Sequence, residues 1–183
     1  MTRLLCKLIL TTLSLGMPIA FAAADLAGTR TVRLHGQGGE VKVLGTVTFK
    51  AQGEGYAFEY KLDPAVFEDR FLAMRPFGCL DGDKISLCHF PYDAPQQITA
   101  ADLTDLEYQF MFLQKPRASV SLDPENGVYY EMKLVDGRIE GVLREVDMDP
   151  IIAPDGYQAR PIKRADLFAV DTSGKWLPRL TID

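Results

Sequence analysis

Cys79, Cys88 and His89 carry the most readily used chemistry in this chain. They lie in "FGCLDGDKISLCHF", Phe77 to Phe90. A redox centre would want C-x-x-C, and eight residues separate these cysteines. Covalent haem attachment through C-x-x-C-H would need a cysteine where Ile85 stands. Zinc would have to recruit the distant His35, and the usual ligand spacings are absent. Asp81-Gly82-Asp83 offers oxygens to calcium, but the EF-hand loop pattern does not follow. No metal and no cofactor is therefore expected. In an oxidising compartment the default for two remaining cysteines is a disulfide, Cys79–Cys88. A turn at Asp81-Gly82 would set Cys79 opposite Lys84. The cysteines face each other only if the turn is centred between Asp83 and Lys84, so the staple is expected to close a broad loop rather than a tight hairpin.

The other reactive side chains form no recognisable constellation. His35 shares a face with Arg33 in "TVRLHG", and His89 follows the second cysteine. Each reads as a solvated or packed histidine, although His89 with a nearby carboxylate is the residue on which an enzymatic reading would rest. Ser86, Ser119, Ser121 and Ser173 lack a nucleophile setting. Carboxylates cluster in "DLTDLE" (Asp102, Asp105, Glu107) and "EVDMD" (Glu145, Asp147, Asp149), and cations in "ARPIKR" (Arg160, Lys163, Arg164). Their spacing does not force them into one pocket, so they read as solvated loop ends. No glycine-rich phosphate loop is present. No catalytic residue is assigned, and an enzyme is the less favoured reading.

The compartment follows from the first residues. Arg3 and Lys7 precede the apolar run Leu8 to Leu15, and Ala20-Phe21-Ala22 and Ala22-Ala23-Ala24 offer small-x-small cleavage sites. Residues 1–24 therefore read as a signal peptide cleaved after Ala22 or Ala24, too short to span a bilayer. Cys6 would leave with it. The balance that remains is 18 basic against 25 acidic residues. Such a chain is repelled by phosphate backbones, so nucleic acid is not an expected partner. The remaining residues, 25–183, suit a single exported domain.

The elements that must position these residues have a period of two. Val41, Val43, Val47 and Phe49 share one face of "VKVLGTVTF", and Tyr56, Phe58, Tyr60 and Leu62 share one face of the next run. Asp136-Gly137 separates two further alternating runs and predicts a type I′ hairpin, with Val128, Tyr130, Met132 and Leu134 on one face. More strands are expected at Thr29–His35, Lys84–Phe90, Glu107–Leu113, Leu167–Asp171 and Leu180–Ile182. Helix is limited to a turn or two, one capped by Asp63 with Pro64 at its first position and another within Thr99–Leu106. "DPIIAPDG" (Asp149 to Gly156) reads as a surface loop. About eight antiparallel strands imply a small closed barrel or a sandwich, with a long excursion over residues 64–100 carrying the staple. Charge on the opposite strand faces argues against membrane insertion.

"MRPFGCLDG", "LCHFPY", "DLTDLEY", "NGVYY" and "WLPRLTI" resemble segments of a family of uncharacterised exported proteins of Gram-negative bacteria. The resemblance spans most of the chain and implies a periplasmic location. It implies no activity. The resulting expectation is a binding or interaction module for an apolar small molecule or an envelope protein. Inward aromatics such as Phe58, Phe110 and Tyr130 are the candidate ligand contacts at an open barrel end. The alternatives are an enzyme built on His89 and a purely structural envelope protein.

Overall fold

The computed structural model describes residues 26–72, 75–152, 156 and 158–183. The expected signal peptide and its cleavage site lie outside these residues. The strands are β1 (Gly28–His35), β2 (Val41–Gln52), β3 (Gly55–Leu62), β4 (Glu68–Leu72), β5 (Arg75–Asp81), β6 (Ile85–His89) and β7 (Gln97–Ile98). After them come β8 (Phe112–Pro116), β9 (Gly127–Val135), β10 (Arg138–Val146) and β11 (Arg179–Ile182). Two one-turn helices, α1 (Thr104–Glu107) and α2 (Asp149–Ile152), complete the elements used below.

All eleven strands belong to one antiparallel sheet, ordered β4-β5-β6-β8-β9-β10-β11-β1-β2-β3-β7. This corrects the expectation of about eight strands in a closed barrel or a two-sheet sandwich: there is one sheet and it does not close. The edges explain why. β3 does not turn back into β4 by a hairpin. Asp63 caps a 3-10 turn, Pro64–Val66, by accepting a hydrogen bond from the Ala65 amide. Pro64 has no amide to give to a ladder, so the chain leaves the sheet there. Among the described residues β4 then pairs only with β5, and the two-residue β7 only with β3.

Several local expectations change for identifiable reasons. Residues 64–100 are mostly sheet, holding β4 to β7. Glu107–Leu113 is a strand only at its end: α1 and a 3-10 turn, Tyr108–Phe110, take its first part. In that turn Tyr108, Gln109 and Phe110 are all buried, whereas a strand would have aimed alternate residues to opposite sides. Leu167–Asp171 makes a single bridge, Phe168 to Glu145, and Asp149–Ile152 is helical rather than loop. The face of β2 also switches. Leu44 is the extra residue opposite the Val32/Arg33 step of β1, a bulge completed by Gly45 at φ +147°. Val41 and Val43 therefore point outward while Leu44, Val47 and Phe49 point into the core. A Cβ on Gly45 would lie 2.1 Å from the Lys61 carbonyl oxygen, so only glycine fits.

The Asp136-Gly137 hairpin is as expected. Val135 pairs with Arg138, and both turn residues have positive φ, +48° and +80°, as type I′ requires. The staple differs. Cys79 and Cys88 are bonded and directly opposite on β5 and β6. Asp81 pairs with Ser86 and the Gly82 amide donates to the Ile85 carbonyl, so Asp83-Lys84 is the centre of a tight hairpin and not of a broad loop.

The sheet has two buried layers. Its inner face packs Val47, Phe49, Phe58, Leu87, Phe110, Phe112, Val128, Tyr130 and Leu180 into the main core. The outer face of β5, β6, β8 and β9 is also covered. Phe77, Cys79, Cys88, Leu113 and Tyr129 lie there under Phe90, Tyr108, Met111, Met148 and Ile162. Among the described residues no helix is long and apolar enough to cross a membrane.

Candidate functional site

The three inward aromatics come together, but as core. Phe58 is 3% exposed, and Phe110 and Tyr130 are 0%. Phe110 meets Tyr60 at 5.9 Å between ring centroids, and Tyr130 meets Phe112 edge to face at 6.2 Å. The Tyr130 hydroxyl donates to the Leu177 carbonyl at 2.8 Å, and burial pushes its pKa upward. These rings fill the interior rather than line an opening, and the concavities described below are built from other residues.

His89 is equally committed. Its Nε2 lies 2.7 Å from the Gln109 carbonyl oxygen, and its ring packs on Phe67 and Phe112. A carbonyl only accepts, so Nε2 carries the proton. Burial lowers the imidazole pKa, which keeps it neutral. Among the described residues His89 makes no hydrogen bond or ion pair with a carboxylate. His35 lies 2.8 Å from the Thr181 hydroxyl, and burial lowers its pKa. The two cysteines are buried in their disulfide. No group of three or more His, Cys, Asp or Glu side chains among the described residues could hold a metal ion.

"DLTDLE" and "ARPIKR", read separately as solvated segments, meet. Arg160 binds Asp102 through Nη1 at 2.7 Å and Asp105 through Nε and Nη2 at 2.8 and 2.7 Å. Burial alone would raise the Asp102 pKa, but hydrogen bonds from Thr104 and Arg160 outweigh it and hold the group at about 2. Glu107 is fully buried. It accepts from the Tyr129 hydroxyl at 2.5 Å and the Met132 amide at 2.6 Å, and pairs with Arg164 at 2.7 Å. Burial raises its pKa despite these three donors. Together the pairs pin the segment after α2 over α1 and β9. Sequence spacing could not reveal this, because more than fifty residues of chain separate the partners.

A groove on the same outer layer has a different character. Its volume is about 340 Å³, and Phe77, Phe90, Leu113, Leu122, Pro124, Ile151 and Ile152 line it with Arg75. Phe77 and Phe90 stack at 6.1 Å. The Arg75 guanidinium lies over both rings, 4.6 Å from each centroid, and meets no carboxylate among the described residues. A cation on aromatic faces is attracted by the ring quadrupoles and keeps its N–H edges free. Two larger concavities are polar. One, of about 450 Å³, is bordered by Glu54, Asp102, Asp105 and the carboxylate-paired Arg160; the other, of about 580 Å³, by Glu40, Asp81, Asp83 and two lysines.

The sequence carried one unused signal for the apolar groove. If Cys79 faces Cys88, the same register sets Phe77 opposite Phe90, two residues outward on each strand and on the same face. Arg75 follows two residues further on. Comparison of the chain with family models, curated proteins and solved structures found no match in any of the three.

Proposed function

We propose that this chain is an exported periplasmic binding module for a small molecule with an apolar body and an anionic head. The body would lie along Phe77, Phe90, Leu113, Leu122 and Ile151, and the head would pair with Arg75. The observation that carries the reading is a guanidinium with no carboxylate partner among the described residues, at an otherwise apolar groove. Apolar walls with one placed polar group are the usual make-up of a small-molecule site. The inner aromatics then serve as the rigid support rather than as the ligand contacts. Export rests on the N-terminal segment "MTRLLCKLILTTLSLGMPIAFAAAD".

Calorimetric titration with decanoate, decanol and decylamine tests it. Decanoate should bind saturably, decanol more weakly, and decylamine least. Arg75→Gln should weaken decanoate by about tenfold, the loss of one charge-assisted contact, and leave decanol unchanged. Equal binding of decanoate by wild type and Arg75→Gln, or no saturable binding of any of the three, would overturn the proposal.

A further inference from the structure

A second concavity, of about 200 Å³, lies where the chain crosses α1, away from the apolar groove. Thr104, Arg160, Lys163 and Arg164 supply its polar wall, with Tyr129, Ile162 and Leu167 beside them. None of these lining residues is acidic. The carboxylates that balance the arginines stand behind the wall: Asp102 and Asp105 border the polar cleft on the other side of Arg160, and Glu107 is fully buried.

The donors that remain are specific. Arg164 uses Nη2 on Glu107 at 2.7 Å and on the Thr104 hydroxyl at 3.4 Å. Its Nε and Nη1 have no partner among the described residues. The Lys163 backbone amide donates to the Asp166 carboxylate at 2.7 Å, while its ammonium donates once, to the Arg160 carbonyl, and pairs with no carboxylate among the described residues, so two of its three protons are uncommitted. The Thr104 hydroxyl accepts from Arg164 and gives its own proton to the Asp102 carboxylate, so it holds the wall in place and is not a free donor. Both arginines are already held by carboxylates, so little side-chain entropy is lost when they bind something else.

We infer that this pocket is an anion site that takes a phosphate monoester dianion, gripped by Lys163 and Arg164. The donor set matches such a group because it combines a guanidinium edge with a point charge, which together serve several oxygens at once. The site is independent of the apolar groove and of the function proposed there. A free phosphate compound and a phosphorylated lipid headgroup present the same chemistry, and the experiment separates them.

The protein is titrated with inorganic phosphate in calorimetry and, separately, sedimented with phosphatidylcholine vesicles with and without phosphatidate. Lys163→Gln is compared with Lys42→Gln, a lysine at the other polar concavity. Saturable phosphate binding that Lys163→Gln weakens by about tenfold and Lys42→Gln leaves alone supports a soluble ligand. Phosphatidate-dependent sedimentation lost only in Lys163→Gln, without phosphate binding in solution, supports a headgroup. Lys163 is exposed, so an unchanged thermal unfolding midpoint shows that the variant remains folded. Absence of both signals in the wild type, or Lys163→Gln behaving as wild type in both, overturns the inference.

Discussion

The two faces of the sheet use the same residue types for different ends. On the inner face, Phe58, Phe110, Phe112 and Tyr130 interlock, and the one polar atom of Tyr130 is spent on a backbone carbonyl. On the outer face, Phe77, Phe90, Tyr108 and Tyr129 are also buried, but each touches a charged or polar group. Arg75 lies on the first two, the Ile162 amide donates to the Tyr108 hydroxyl at 2.8 Å, and Glu107 accepts from Tyr129. An aromatic core alone fixes shape. Aromatic surface next to an unsatisfied cation can also discriminate between ligands. On the proposed reading structural support lies inside and recognition outside, and the two can be perturbed separately.

The largest expected effect tests the inner face. Phe110→Ala removes a fully buried ring in contact with Tyr60, and should cost about 3–5 kcal/mol in denaturant unfolding. Where the variant is still folded, its decanoate affinity should stay within about twofold of wild type, well short of one hydrogen bond's worth. A large affinity loss with little loss of stability would reverse the assignment of the two faces.

The staple lies under the outer layer and supports Phe77 and Phe90 from the adjacent positions of β5 and β6. Cys79→Ala should lower stability by about 2–4 kcal/mol and loosen the groove, seen as weaker decanoate binding. Mass spectrometry of the oxidised wild-type protein should find one internal bridge and no free thiol. If the variant binds decanoate as wild type does, the hairpin is not what shapes the groove.

How much was legible in the sequence follows the range of each signal. Period-two runs such as "YAFEYKL" and the Asp136-Gly137 turn are local, and they specified strands, faces and a hairpin correctly. The Val41/Val43 face was misread because one bulge residue, Leu44, shifts the phase, and nothing in the pattern marks it except the adjacent Gly45. Tyr108 and Phe110 alternate in sequence yet occupy a 3-10 turn, because Tyr108 is claimed by the outer layer and Phe110 by the inner one. Closure of the sheet was over-read, since it depends on whether β3 and β4 meet, and the Asp63-Pro64 cap sends the chain out of the ladder. The site residues were the least legible. Arg160 and Arg164 find Asp102, Asp105 and Glu107 only through tertiary contact, and their charges look solvated until then.

The smallest effect sharpens the electrostatic side of the comparison. Arg164→Gln leaves Glu107 fully buried with two neutral donors and no counter-charge. Breaking a buried pair in this way costs about 3–5 kcal/mol when both partners are buried, and less here because the Arg164 side chain is 46% exposed, so about 2 kcal/mol is expected at neutral pH. Burial already raises the folded pKa of Glu107 above its ordinary value of 4.5, and loss of Arg164 raises it further. A carboxyl with a raised folded pKa disfavours the folded state when ionised, and that penalty vanishes as pH falls through the folded value toward 4.5. The deficit of Arg164→Gln against wild type should therefore shrink on acidification. Glu107→Gln, which keeps the shape and removes the buried charge, should show a smaller deficit at neutral pH and none of that recovery. Urea unfolding of the three proteins across this range decides it: parallel pH profiles for both variants would mean that Glu107 is not the buried charge Arg164 compensates.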